Sequence, residues 1–153
     1  MNSKIQFFSE GTSFILKNKT SIRSWLINSI KEEKKKPWYI NFIFCNDTYL
    51  LELNKTYLHH NSLTDILTFT FADDPDIITG DIYISIERTE ENAKNFGEPR
   101  EREIRRVMIH GILHLIGYGD KTNVERMEMK EKEDYYLNKD EQIVKVQIKK
   151  VMK

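Results

Sequence analysis

The sequence predicts an α+β domain in which a small mixed β-sheet is packed by helices. Short runs rich in β-branched and aromatic residues, at 5–8, 38–45, 64–71 and 81–85, lie between stretches whose apolar residues recur at helical spacing. One segment, 99–117, is apolar around so wide a face that it belongs at the centre of the domain. The length of 153 residues, with 39% hydrophobic and 31% charged residues, suits a single domain with a real core. No internal repeat or low-complexity linker divides it, so 1–153 reads as one unit.

The elements follow in chain order. Residues 5–8 read as a short strand, and after Gly11 a second short strand is expected at 13–16. Asn18 to Thr20 offer cap side chains to a helix carrying Ile22, Trp25, Leu26 and Ile30, which dissolves into 31–36 before Pro37. That lysine-rich run reads either as an RNA patch or as a solvated helix end, and Glu32 and Glu33 within it favour the second. Residues 38–45 form a buried strand, and Asn46-Asp47 can cap a short helix to about Leu53. In 64–71, Ile66 and Thr68 face one way and Leu67, Phe69 and Phe71 the other, as in a strand. The polar stretch 72–79 leads to another strand at 81–85, then a helix over 87–96 that ends near Gly97. Pro99 opens the central helix, where its missing N–H does no harm, and Gly117 stops it. Residues 123–136 form a charged amphipathic helix, and 142–153 read as an edge strand or a loosely ordered end.

Charge excludes little by itself. Twenty-four Lys and Arg balance twenty-four Asp and Glu, so no overall basicity advertises nucleic acid and each region must be judged separately. The only cysteine, Cys45, has no disulfide partner in the chain. The N-terminal residues lack the apolar stretch of a signal peptide, and no run approaches the roughly 20 apolar residues of a membrane span. A reducing cytoplasm is the expectation, without a membrane. A chain of this size needs no structural metal, so any metal it binds is expected to be functional.

The chemistry concentrates on the central helix. His110 and His114 stand four apart, so both imidazoles leave one face and can hold one ion. Alone, this spacing equally fits a helix with two hydrogen-bonded core histidines. The glycine turn changes the reading, because Gly117 and Gly119 let the chain double back and present Asp120 to the same ion. Three protein ligands leave a fourth position open to water, which is a catalytic arrangement. The metal site is thus expected at the end of the central helix. The spacing resembles the long zinc motif of metzincin proteases, but their general-base Glu is Gly111 here, which has no side chain to move a proton.

The surrounding sequence resembles the YbeY family of metal-dependent endoribonucleases from about Ile40 to about Lys132. His110, Gly111, Leu113, His114, Leu115, Gly117 and Tyr118 match its HGxLHLxGYDH run, and the family's third His falls on Asp120. Upstream, Leu53-Asn54 with Tyr57, then 64–69 (TDILTF) and 80–82 (GDI), resemble its other marks in order. Two positions depart: the family's Asp before its third His is Gly119, and its catalytic Arg falls on Leu58.

The resemblance implies a single-strand-specific, zinc-dependent endoribonuclease that acts in maturation of ribosomal RNA, at the small-subunit 3′ end, and in ribosome quality control. Ribosomal RNA and the small ribosomal subunit are the partners it implies. One Zn²⁺ per chain is expected on His110, His114 and Asp120. It would lower the pKa of water and polarise a phosphoryl oxygen. Thr64 and Asp65 would shape the cleft, and Arg105 and Arg106 could grip backbone phosphates, although the interleaved Glu98, Glu101 and Glu103 fit a paired, solvated face as well. His60 is the candidate catalytic side chain, standing in for the absent Arg. The competing readings are a zinc metallopeptidase, disfavoured by Gly111, and a non-catalytic ribosome-assembly factor, favoured by Leu58.

Overall fold

A computed structural model describes residues 3–59 and 64–151. Among the described residues four strands and five helices follow in the order β1 (Lys4–Glu10), α1 (Lys19–Glu32), β2 (Lys36–Cys45), α2 (Asp47–Leu58), β3 (Ile66–Thr70), β4 (Ile77–Ser85), α3 (Ile86–Phe96), α4 (Arg100–Ile116) and α5 (Asn123–Val151). The sheet order is β1-β2-β4-β3, with β1, β2 and β4 parallel and β3 antiparallel to β4. Parallel neighbours need a crossover, which α1 supplies between β1 and β2. The hairpin partner β3 needs only the turn at 71–76, where Asp74 accepts from the Asp76 amide through its side chain and from the Ile77 amide through its carbonyl. The expected α+β class, a small mixed sheet packed by helices, is what forms.

Alternation along the strands sends residues to two unequal cores. One face places Ile5, Ile40, Phe42, Phe44, Ile78, Ile82 and Ile84 against α1, α4 and α5. The other holds a small cluster of Cys45, Leu50 and Leu67 beneath α2, with Tyr49, Phe69 and Tyr83 packed on it. Ile66 joins the first core and Leu67 the second, as the alternation in the sequence requires. Helix α4 is the central element, with Ile104, Val107, Met108, Ile109, Ile112 and Leu113 all buried. At Gly80, an added Cβ would lie 2.1 Å from the Phe69 carbonyl oxygen, so the β3–β4 ladder closes there only around a glycine.

Several boundaries differ from expectation. Residues 13–16 form no strand; Phe14 sets its ring edge-on at 4.9 Å from Phe44 and Leu16 is buried, so the alternation there records packing from a loop rather than pairing. Asn18 occupies the cap of α1 in the left-handed conformation without a side-chain bond, whereas Asn46 caps α2 by accepting from the Tyr49 amide at 2.8 Å. Helix α2 runs on to Leu58, where Tyr57 meets Phe69 edge-on at 6.0 Å, and β4 begins at Ile77. Residues 142–151 continue α5 as helix and form no edge strand. No described helix is long and apolar enough to cross a membrane.

Candidate metal centre

Helix α4 delivers the two histidines at its C-terminal end. Gly117 follows with φ 125°, its amide reaching the His114 and Leu113 carbonyls at 3.1 Å, and the Tyr118 amide bonds the Leu113 carbonyl at 3.0 Å. These bonds reverse the chain within two residues and bring Asp120 back over the helix end. The next helix is pinned by a reciprocal cap: the Thr122 amide bonds Glu125 Oε1 and the Glu125 amide bonds Thr122 Oγ1, both at 3.1 Å. Arg126 then donates to the Asp120 and Lys121 carbonyls, at 3.4 and 2.7 Å, holding the turn from its far side.

Three ligand atoms converge. His114 Nε2 lies 2.9 Å from His110 Nε2 and 3.2 Å from Asp120 Oδ2, and His110 Nε2 lies 3.5 Å from the same oxygen. The atoms form a group able to hold one metal ion. Tetrahedral bonds of 2.0–2.1 Å put neighbouring ligand atoms roughly 3.3 Å apart, so the three separations suit an ion of zinc's size. The histidine side chains are 20% exposed and Asp120 is 43% exposed, so the site opens on the aspartate side.

The donor set itself calls for a cation. His114 Nδ1 lies 3.0 Å from the Tyr118 carbonyl oxygen, which can only accept, so Nδ1 carries the proton and Nε2 of the neutral ring is a bare lone pair. His110 Nδ1 lies 2.6 Å from Glu133 Oε2, and Arg106 holds the other oxygen of that side chain with a 2.8 Å bond to Oε1. His110 Nε2 is then bare as well. Two lone pairs and a carboxylate oxygen facing each other repel unless a positive charge lies among them. The same balance acts on a proton: burial alone pushes His110 down, but the bond and charge of Glu133, with Asp65 and Asp120, turn the net shift upward. A metal ion would take the place of that proton.

The other expected site residues fall at varied distances from this centre. Asp65 lies at the start of β3, its backbone carbonyl accepting from the Ser85 amide at 2.9 Å and its side chain from Asn92 at 3.4 Å; burial pushes its carboxyl up, against the pull of His110. Thr64 turns its hydroxyl onto the Ile66 carbonyl at 3.2 Å, so it shapes the backbone beside the centre. Arg106 is committed: its two arms hold Glu133 at 2.8 Å and Asp134 at 2.6 Å, which makes it a clamp on the His110 carboxylate rather than a hand for phosphate. Arg105, one position earlier and turned away, pairs with Asp140 at 3.4 Å and lines a separate cavity of about 490 Å³ between α4 and residues 13–22. His60 lies outside the described residues. Leu58 closes α2 and is 41% exposed.

Gly111 and Gly119 acquire physical reasons. A Cβ on Gly111 would come within 2.8 Å of Ile82 and 2.9 Å of Ile66, so this position faces the sheet and seats α4 on β3 and β4. A protease-type glutamate there would point into the core and away from the ion. A Cβ on Gly119 would stand 1.7 Å from Glu125 Oε2, so the capping glutamate fills the space that a side chain at 119 would need. The sequence reading missed Glu133. It stands 23 residues from His110 in a helix full of Glu and Lys, and no local pattern separates it from its solvated neighbours.

A family model described as "Endoribonuclease YbeY" matches residues 7–141. A protein named "Endoribonuclease YbeY" from Flavobacterium psychrophilum is 47% identical over 130 residues, covering 85% of this chain and 92% of that protein. Its namesake from Amoebophilus asiaticus is 44% identical over 135 residues, 88% and 92% of the two chains. The solution structure of TM1509 from Thermotoga maritima superposes with a TM-score of 0.65 at 29% identity, covering 94% of this chain and 93% of that one.

Proposed function

The chain belongs to the YbeY endoribonuclease family, and from that premise we propose that it is a zinc-dependent hydrolase that cleaves single-stranded RNA at a centre formed by His110, His114 and Asp120. The observation that carries the reading is the convergence of two imidazole Nε2 atoms and one carboxylate oxygen within 3.5 Å. Two nitrogens and one oxygen, with a coordination position left over, favour zinc in a catalytic rather than a closed structural site. When bound, the ion would lower the pKa of water and polarise a phosphoryl oxygen.

The chain's own residues do the rest. Glu133 and the Tyr118 carbonyl hold the two rings by Nδ1 so that Nε2 of each faces the centre. Asp65, partly buried and pushed up beside His110, gives the cleft a carboxyl that takes a proton more readily than an exposed one, and Thr64 sets the backbone that carries it. His60 would supply the cation that the family's Arg provides elsewhere and that Leu58 does not. Arg105 and Arg106, both held by carboxylates of α5, add no free phosphate contact to this scheme.

Ribosomal RNA, its maturation at the small-subunit 3′ end, ribosome quality control and a cytoplasmic setting are carried by family membership and complete the proposal. The test is cleavage of single-stranded RNA with and without chelator, beside a casein control. Chelator-sensitive RNA turnover with intact casein supports it; chelator-sensitive casein hydrolysis without RNA turnover favours a metallopeptidase. Leu58 supports one second reading, a non-catalytic assembly factor, which predicts bound metal with no turnover of either substrate.

A further inference from the structure

The charged run at 31–36 holds one carboxylate that is neither an RNA contact nor a solvated helix end. Glu33 is the C-cap residue of α1, and its side chain is only 9% exposed. Three donors converge on it: the Tyr118 hydroxyl at 2.6 Å, the Lys132 ammonium at 3.0 Å and the Tyr136 hydroxyl. Lys132 also stands 5.7 Å over the Tyr118 ring. Burial pushes the Glu33 carboxyl up, but the three donors and the Lys132 charge outweigh it, and the net shift is downward.

Of these donors Tyr118 is the one whose own backbone touches a proposed ligand. Its ring is held by Glu33, its carbonyl oxygen receives His114 Nδ1 at 3.0 Å, and two residues later the chain delivers Asp120. Tyr118 is flanked by Gly117 and Gly119, so neither neighbour has a side chain to anchor the peptide that carries this carbonyl. Its ring is the side-chain handle on that peptide, beside the bond of the Tyr118 amide to the Leu113 carbonyl.

We propose that Glu33 is a positioning residue for the metal centre: by holding the Tyr118 ring it fixes the carbonyl that sets the His114 tautomer and the approach of Asp120. Its bonds to Lys132 and Tyr136 join α1 to α5 and reach a ligand only indirectly, through the helix that carries Glu133. The inference rests on the proposed metal reading and deepens it.

The test is zinc affinity, measured by competition with a chromogenic chelator on purified protein, for wild type, Glu33→Ala, Glu33→Gln, Tyr118→Phe, Glu33→Ala/Tyr118→Phe and Tyr136→Phe. Glu33→Ala and Tyr118→Phe should each weaken zinc binding by about tenfold, the size typical of a lost outer partner, and the double variant no more than either alone. Glu33→Gln, which keeps an acceptor for the tyrosine, should recover part of the loss. Tyr136→Phe should lower the unfolding midpoint yet leave zinc affinity within about twofold, which separates positioning from general loosening. In zinc-free protein, nitrogen-15 shifts of the His114 ring should move toward a tautomer mixture in Tyr118→Phe and stay put in Tyr136→Phe. Unchanged zinc binding in Tyr118→Phe, or an equal loss in Tyr136→Phe, overturns the inference. If Glu33→Ala fails to fold, the two tyrosine variants still decide it. Wild-type protein that takes up no zinc would instead sink the metal reading, and this inference with it.

Discussion

Glu133→Ala removes the acceptor of His110 Nδ1 without touching a proposed ligand. The carboxylate lies 2.6 Å from that nitrogen and 2.8 Å from Arg106, and its side chain is 10% exposed, so water replaces it poorly. Two effects follow, and they can be measured apart. Zinc affinity should fall by about 10- to 100-fold, or about 1.4–2.7 kcal/mol, the range found when outer-shell partners of ligand histidines are lost. Metal-free stability should fall by about 1.5–3 kcal/mol, the worth of a hydrogen bond to a charged group; Arg106 retains Asp134 at 2.6 Å, which keeps the cost below that of an abandoned buried charge. Glu133→Gln keeps an oxygen for the histidine proton and loses only charge, so its affinity should fall between wild type and Glu133→Ala. Chelator competition reads the first effect and urea unfolding of the zinc-free protein the second. A Glu133→Ala protein with wild-type zinc affinity and reduced stability would show that Glu133 is structural only, and the account of how the donor set is arranged would fail.

His114→Ala should leave less than one zinc per ten chains after dialysis, on the order expected when one of three ligands is lost; one zinc per chain retained by elemental analysis would place the site elsewhere. Gly111→Ala gains about 1 kcal/mol of helix propensity but drives a Cβ to 2.8 Å from Ile82 and 2.9 Å from Ile66, so overpacking of about 1–3 kcal/mol should leave it neutral to about 2 kcal/mol less stable. A clear gain in the urea midpoint would contradict the tight seat of α4 on the sheet. Glu33 has its folded pKa below the ordinary carboxylate value, so its contribution is full above the unfolded pKa and is lost as pH falls through the folded one. The stability gap between wild type and Glu33→Gln should therefore close below about pH 4; a gap independent of pH from 7 to 3 would show that the carboxylate is not held ionised. Burial pushes the Cys45 thiol up to about 12. At pH 8 about one thiol in ten thousand is then ionised, and native protein should resist iodoacetamide under conditions that alkylate the urea-unfolded chain within minutes; equal rates would mean that α2 does not cover Cys45 stably.

The sequence by itself determined what is local. Helical period and terminal glycines placed α3 and α4 within a residue or two, because a helix is specified by neighbours three and four positions apart and by its own caps. The candidate ligand group was legible for the same reason: His110, His114 and Asp120 span eleven residues of helix and turn, so helical period and the glycine turn bring them to one end of α4. Alternation in 66–70 likewise told the two faces of β3 apart.

Only the tertiary structure decided which apolar runs pair and which charges turn inward. Residues 13–16 alternate like a strand yet form none, since a strand needs a partner and the sequence does not say where one lies. Glu33, Arg106 and Glu133 resemble their solvated neighbours in every local respect. They turn inward because α1 and α5 pack beside the end of α4, bringing side chains 85 and 23 residues apart into hydrogen-bond contact with Tyr118 and His110. A charge's role depends on which water it loses and which partner replaces it, and both are settled by packing.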